Sequence, residues 1–264
     1  MTETVLLAID TSTEYCSVAL IRSDSPTSAM PVSTAPASTA PATSPRIWTR
    51  HEMTGAVSSA RVLPAVRELF DEAGLPMRDC NVVAFGAGPG SFTGLRTATG
   101  VAQGLAFGLQ VPVVPVSTLL VCAESARLRD PSASRVLAAL DARMDEVYWA
   151  DYAWDAGIGE WRTVVPPSLG SPAELATPDE PFTLAGNAAA AFGEKLPVAR
   201  LARTVDAQAL PHAMPLAIAA LRAYGAGRTV PAALAAPEYV RDKVAQTTAE
   251  RLAARAGRDG EPVR

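Results

Sequence analysis

Val82-Val83-Ala84-Phe85-Gly86-Ala87-Gly88-Pro89-Gly90-Ser91-Phe92-Thr93-Gly94-Leu95-Arg96 leads into a glycine-spaced segment that ends near Gly108, and residues 111–116 form an apolar run. The order reads as strand, glycine-rich turn, helix, strand. Such a turn at a helix N-terminus can cradle a phosphate, because glycines let backbone amides approach an anion. Here the residues that complete a nucleotide loop are missing. A Walker loop needs Gly-Lys-Ser/Thr at the helix start, and no lysine lies in this turn. A GxGxxG fingerprint fails in both registers, since Ser91 or Thr93 stands at the third glycine position. Arg96 is the nearby cation, one turn into the helix. Gly88, Gly90 and Ser91 therefore read as a degenerate phosphate turn.

Ser91 is a suitable N-cap for the helix. Inside the helix stand Gly94, Gly100, Gly104 and Gly108, with Ala98, Ala102 and Ala106 nearby. An interior glycine costs about 1 kcal/mol relative to alanine, so the stripe at Gly100, Gly104 and Gly108 implies close approach of another backbone. That backbone belongs either to this chain's own sheet or helices, or to another protein. Upstream, residues 58–73 place Val62, Leu63, Val66, Leu69, Phe70 and Ala73 at helical spacing, with Gly74 as terminator and Pro64 in the first turn or at a kink.

The chain opens with an apolar strand at 5–9 that ends in Asp10, a turn from Thr11 to Glu14, and a second strand at 16–21. Asp10, Thr11 and Ser12 form a second candidate phosphate turn. Residues 24–45 are almost entirely Ser, Thr, Ala and Pro, which predicts a flexible surface insertion. The opening pattern returns at 136–141, where Val-Leu-Ala-Ala-Leu-Asp is followed by a short turn at 142–146 and a strand at 147–152. A repeat of this kind predicts two related subdomains. Farther on, short strands are expected at 164–165 and 182–185, an alanine-rich helix at 211–226, and a frayed tail at 253–264.

Composition narrows the chemistry. The chain has 264 residues, 48% hydrophobic and 19% charged, with net charge −4, which supplies no global field toward nucleic acid or anionic membrane. No apolar run is long enough for a membrane helix, and no basic region precedes residues 5–9, so a cytoplasmic protein is expected. Cys16, Cys80 and Cys122 lack CxxC spacing and are expected to be reduced, buried thiols. The two histidines, His51 and His212, form no HExxH or zinc-type cluster, and no GxSxG elbow is present. No metal site and no catalytic residue are expected.

Four ordered blocks resemble the TsaB (YeaZ) family of bacterial tRNA-modification proteins. They are Leu7-Ala8-Ile9-Asp10-Thr11-Ser12-Thr13-Glu14-Tyr15-Cys16-Ser17-Val18-Ala19-Leu20, then Gly88-Pro89-Gly90-Ser91-Phe92-Thr93-Gly94-Leu95-Arg96, then Val116-Ser117-Thr118-Leu119, then residues 137–150, Leu-Ala-Ala-Leu-Asp-Ala-Arg-Met-Asp-Glu-Val-Tyr-Trp-Ala. Pro237-Glu238-Tyr239-Val240-Arg241 looks like the family's C-terminal Tyr-Leu-Arg element, with Val240 in place of leucine.

The resemblance implies an α/β chain with the duplicated actin-like, hexokinase-like ATPase (ASKHA) fold, two subdomains of mixed sheets flanked by helices. The corresponding boundaries are 1–115, 116–236 and a C-terminal segment 237–264, with the 211–226 helix free to return to the first subdomain. It also implies a non-catalytic subunit. That subunit would pair with a TsaD-like transferase and work with a TsaE-like ATPase on tRNA, adding threonylcarbamoyl to the N6 of the adenosine beside the anticodon in tRNAs reading ANN codons. No cofactor is expected for the chain alone; ATP or ADP at the interface of the complex, and a homodimer of the isolated chain, remain open. The partner seam is expected at Ser58, Val62, Val66, Leu69, Leu95, Gly100, Gly104 and Gly108.

The catalytic relative's metal-binding histidine pair aligns with Thr118 and Cys122, and Ser12 stands where actin-like kinases have a phosphate-turn glycine. Both departures favour a scaffold. Relative to TsaB itself, the 24–45 insertion is longer than usual, and Ser58 replaces a histidine often found at the start of the first helix. One alternative is a Mg-ATP-dependent phosphotransferase or nucleotide hydrolase using Asp10 and Asp141. Another is a glycoprotease-like peptidase, which the missing metal ligands disfavour.

Overall fold

The computed structural model describes residues 3–24 and 45–241. The interior of the expected 24–45 insertion and the tail at 253–264 lie outside the described residues.

The first half contains β1 (Thr4–Asp10), β2 (Tyr15–Ser23), β3 (Arg46–Met53), α1 (Ser58–Ala73), β4 (Val82–Gly88), α2 (Phe92–Leu109) and β5 (Val113–Ser117). The second contains α3 (Thr118–Arg129), β6 (Arg135–Asp141), β7 (Val147–Asp155), β8 (Glu160–Gly170), β9 (Thr183–Ala185), α4 (Ala188–Phe192), β10 (Thr204–Asp206) and α5 (Ala213–Gly225). The sheets have the orders β3-β2-β1-β4-β5 and β10-β9-β6-β7-β8. Read from the β3 and β8 edges, the two orders correspond strand for strand. In each half the first three strands pair antiparallel and the remaining pairings are parallel. The repeat seen in the sequence is thus a duplicated fold.

β1 is buried along its whole length because helices cover both faces of its sheet. Val5, Leu7 and Ile9 pack with Val62, Val66 and Leu69 of α1 and with Ala98, Ala102 and Ala106 of α2. Leu6 and Ala8, pointing the other way, pack with Leu216, Ala217 and Ala220 of α5. Although α5 follows the second sheet in sequence, it therefore lies on the first. α3 joins the halves: Val121 enters the core beneath α5, while Leu119, Cys122 and Ala126 pack on Val136, Ala138 and Leu140 of β6. The second sheet's other face is closed by Leu175, Phe182, Ala188 and Leu196 against Leu137 and Ala139. Cys16, Cys80 and Cys122 are all free and buried, and burial pushes the first two thiols up to about 11.

β3 and α3 lack the periodic signals that mark the other elements. β3 is a half-exposed edge strand that carries Arg46, Arg50, His51 and Glu52. α3 buries residues on every side, so no single apolar stripe develops.

One buried ion pair ties α3, α5 and β8 together. Glu124 is only 2% exposed; it pairs with Arg222 and accepts a hydrogen bond from Trp161 Nε1 at 2.8 Å. Arg222→Ala leaves this carboxylate buried without its cation and should cost about 3–5 kcal/mol in urea unfolding. The double variant Arg222→Met/Glu124→Gln should recover most of that loss.

Candidate functional site

Both candidate phosphate turns meet at the end of β1, and they fill the space between them. Asp10 is buried, and its Oδ1 accepts from the Ser12 amide at 3.0 Å and the Ser12 hydroxyl at 2.8 Å. The Asp10 side chain therefore holds its own turn. Across from it, a Cβ on Gly86 would lie 2.1 Å from Asp10 Oδ2. One on Gly90 would lie 2.8 Å from both Ser12 Cβ and Ser12 O, and one on Gly94 only 1.8 Å from Thr11 O. These glycines are needed because two stretches of the same chain touch there, leaving no cradle for a phosphate.

Hydrogen bonds close the contact. Ser91 N–H donates to Ser12 O at 2.8 Å, and the Thr11 hydroxyl donates to Gly94 O at 2.6 Å. Ser91 Oγ caps α2 by accepting from Gly94 N–H at 3.4 Å. The Ser91 and Gly94 amides at this helix start are therefore already engaged. The C-terminal segment covers what is left. Glu238 N–H donates to Ala87 O at 2.7 Å, and a Cβ on Gly88 would sit 2.5 Å from Glu238 O. Arg96, the one candidate cation of the turn, donates to Tyr239 Oη at 3.0 Å and lies 4.0 Å over the Phe92 ring.

The second-half counterpart is similarly occupied. Asp141 Oδ1 accepts from Arg143 N–H at 2.8 Å, and its other oxygen lies 3.3 Å from the Arg143 guanidinium. Arg143, Met144 and Asp145 all have left-handed φ values of 63, 57 and 56°. Arg241 pins that turn through Ala142 O at 2.9 Å and Glu146 at 2.8 Å. Thr118 and Cys122, aligned with the transferase's histidine pair, are both completely buried. Thr118 hydrogen-bonds to Pro89 O, and burial raises the Cys122 thiol far above its usual range.

The expected partner seam divides in two. Val62, Val66, Leu69 and Leu95 are buried in the chain's own core, and Ser58 is buried with its hydroxyl on Gly55 O at 3.0 Å. The helical stripe on α1 faces the sheet, so these five residues present no docking surface. Gly100, Gly104 and Gly108 lie on the opposite side of α2 from Ala98, Ala102 and Ala106. A Cβ on any of the three would meet nothing within 4 Å. They are therefore not glycines for the sake of packing inside this chain. Phe107, on the same helix, is 75% exposed, and Val57 and Leu63, before and in the first turns of α1, are 62% and 52% exposed. These exposed apolar side chains could not be told from core positions by helical spacing alone.

The fold and the closed turns define an actin-like, hexokinase-like chain whose two candidate phosphate turns pack against each other. The family model described as TsaD, tRNA N6-adenosine threonylcarbamoyltransferase, matches residues 52–256. The tRNA threonylcarbamoyladenosine biosynthesis protein TsaB of Escherichia coli (strain K12) is 42% identical over 156 residues, 59% of this chain and 58% of that protein. The same-named protein of Haemophilus influenzae is 36% identical over 178 residues, 65% and 66% of the two chains. The chain thus spans 58% and 66% of the length of these two curated relatives. The solved structure of YeaZ from Pseudomonas aeruginosa superposes with a TM-score of 0.75 at 39% identity, over 89% of this chain and 99% of that one. The chain belongs to the TsaB/YeaZ family. No helix among the described residues is long and apolar enough to cross a membrane.

Asp10 provides a test of the closed turn. Burial raises its carboxyl to about 6, against an ordinary 3.8, and Oδ2 has no hydrogen-bond partner among the described residues. Between those values the folded chain binds more protons than the unfolded one, so this group's contribution to stability falls as pH rises from about 4 to about 6. The loss is on the order of 3 kcal/mol. His212 acts oppositely, because burial lowers it to about 4 and its contribution rises over a similar window. The difference between wild type and Asp10→Asn isolates Asp10. Urea unfolding should show the variant gaining on wild type as pH rises from 4 to 6.5, with a constant difference above that.

Proposed function

We propose that this chain is the non-catalytic scaffold subunit of a tRNA threonylcarbamoyl-transfer complex and pairs with a TsaD-like catalytic subunit. One observation carries the reading: Gly100, Gly104 and Gly108 form an open glycine stripe on α2, with Phe107 exposed on the same helix. Interior glycines weaken a helix, and here no contact at the glycines themselves offsets that loss. A partner helix laid along the stripe does so, because small residues let two backbones approach closely. The names of the TsaB relatives place them in threonylcarbamoyladenosine biosynthesis, which supplies the reaction.

In this reading the chain contributes surface and no reacting group. Asp10 and Asp141 are engaged in their own turns, so any ATP or ADP in the complex is held mainly by partner residues. A TsaE-like ATPase and the tRNA are reached through the complex, in the cytoplasm.

Gly104→Leu separates folding from pairing. Its side chain enters open space in the isolated chain, so thermal stability should be unchanged or slightly raised. Bulk on the stripe should weaken co-purification with the TsaD-like subunit at least about tenfold. Normal affinity in this variant would refute the seam. Omitting the chain from a reconstituted reaction should abolish tRNA modification; full activity without it would refute the role.

A further inference from the structure

The chain's two histidines stand 161 residues apart in sequence, yet they line one cleft of about 310 Å³. His51 lies on β3, and His212 is the residue before the first turn of α5. Their ring centroids are 5.4 Å apart at an interplanar angle of 54°. Rings that share one tetrahedral ion, with Zn–N near 2.0–2.1 Å and a ring radius near 1.15 Å, would have centroids roughly 5.2 Å apart.

The surroundings prepare both rings. Tyr15 stacks on His51 with centroids 4.3 Å apart and planes within 7°, which fixes the ring. His51 Nδ1 lies 3.1 Å from Ser17 Oγ, and Ser17 Oγ accepts from Ala213 N–H at 2.9 Å. An ion at Nε2 would select the tautomer with Nδ1–H donated to Ser17, the second-sphere arrangement of metal-bound histidines. Burial lowers both imidazoles below their usual range, so both are neutral at pH 7. Thr13 and Gln208 add a hydroxyl and an amide to the lining, and no carboxylate lines the cleft.

We propose that His51 and His212 bind one divalent first-row transition-metal ion, of the Zn²⁺ or Cu²⁺ class, which clips the edge strand β3 to the start of α5. Imidazole donors without carboxylates select such ions over Mg²⁺ or Ca²⁺. No group of three or more His, Cys, Asp or Glu side chains suited to a metal occurs among the described residues, so water and neutral oxygens complete the coordination. The ion would join two parts of the chain that are distant in sequence, so its effect is on stability.

The test uses the full chain with any purification tag removed. Calorimetric titration with Zn²⁺ alone should show one equivalent bound, and His51→Ala or His212→Ala should each weaken it by about tenfold or more. Zn²⁺ should raise the thermal midpoint of wild type but not of either variant, whereas Mg²⁺ should not. If a variant fails to fold, Cu²⁺ bound to wild type still decides: its electron paramagnetic resonance spectrum should show coupling to two imidazole nitrogens. Absence of Zn²⁺ binding at millimolar concentration, binding unchanged in both variants, or a Cu²⁺ spectrum without two nitrogens would overturn the site.

Discussion

The contact between the Asp10–Thr11–Ser12 turn and the loop from Gly86 to Gly94 organises this molecule. Two backbones meet so closely that Cβ atoms at Gly86, Gly90 and Gly94 would lie 2.1, 2.8 and 1.8 Å from their nearest neighbours. Glycines at a helix-start turn can make room for a phosphate. Here the chain itself takes that room, and hydrogen bonds from Ser91 N–H and the Thr11 hydroxyl hold it shut. Asp10 is kept although it buries a carboxyl whose Oδ2 has no hydrogen-bond partner among the described residues. The C-terminal segment at Glu238 closes the remaining side, and Arg241 fastens the equivalent turn of the second half.

α2 shows how one helix serves two purposes. Its alanine face, Ala98, Ala102 and Ala106, packs in the first core, while its glycine face is open. Burial secures the helix in the fold, so the loss in propensity from three interior glycines is tolerated on the other side. That division leaves the glycine face available to the proposed partner, while the closed turns hold the fold together.

Much of this was legible in the residues. The duplication was visible because 5–10 and 136–141 share type and order, and the strand orders of the two sheets bear it out. The glycine stripe and the absent lysine were visible as well. The face of α1 was not: a helical stripe such as Val62, Val66 and Leu69 tells which residues seek apolar surroundings without saying whether those belong to this chain or another. β3 and α3 escaped for opposite reasons, one a polar edge strand and the other apolar on all sides. The meeting of His51 and His212 depends on α5 returning to the first sheet, a tertiary event with no local signal.

The central claim is that the chain's own packing closes the two candidate phosphate turns. Calorimetry of the isolated chain with Mg-ATP tests it most directly. The account predicts no measurable binding and no turnover. Tight one-to-one binding accompanied by hydrolysis would contradict it, because the turn between Asp10 and Gly94 would then have to open and receive phosphate.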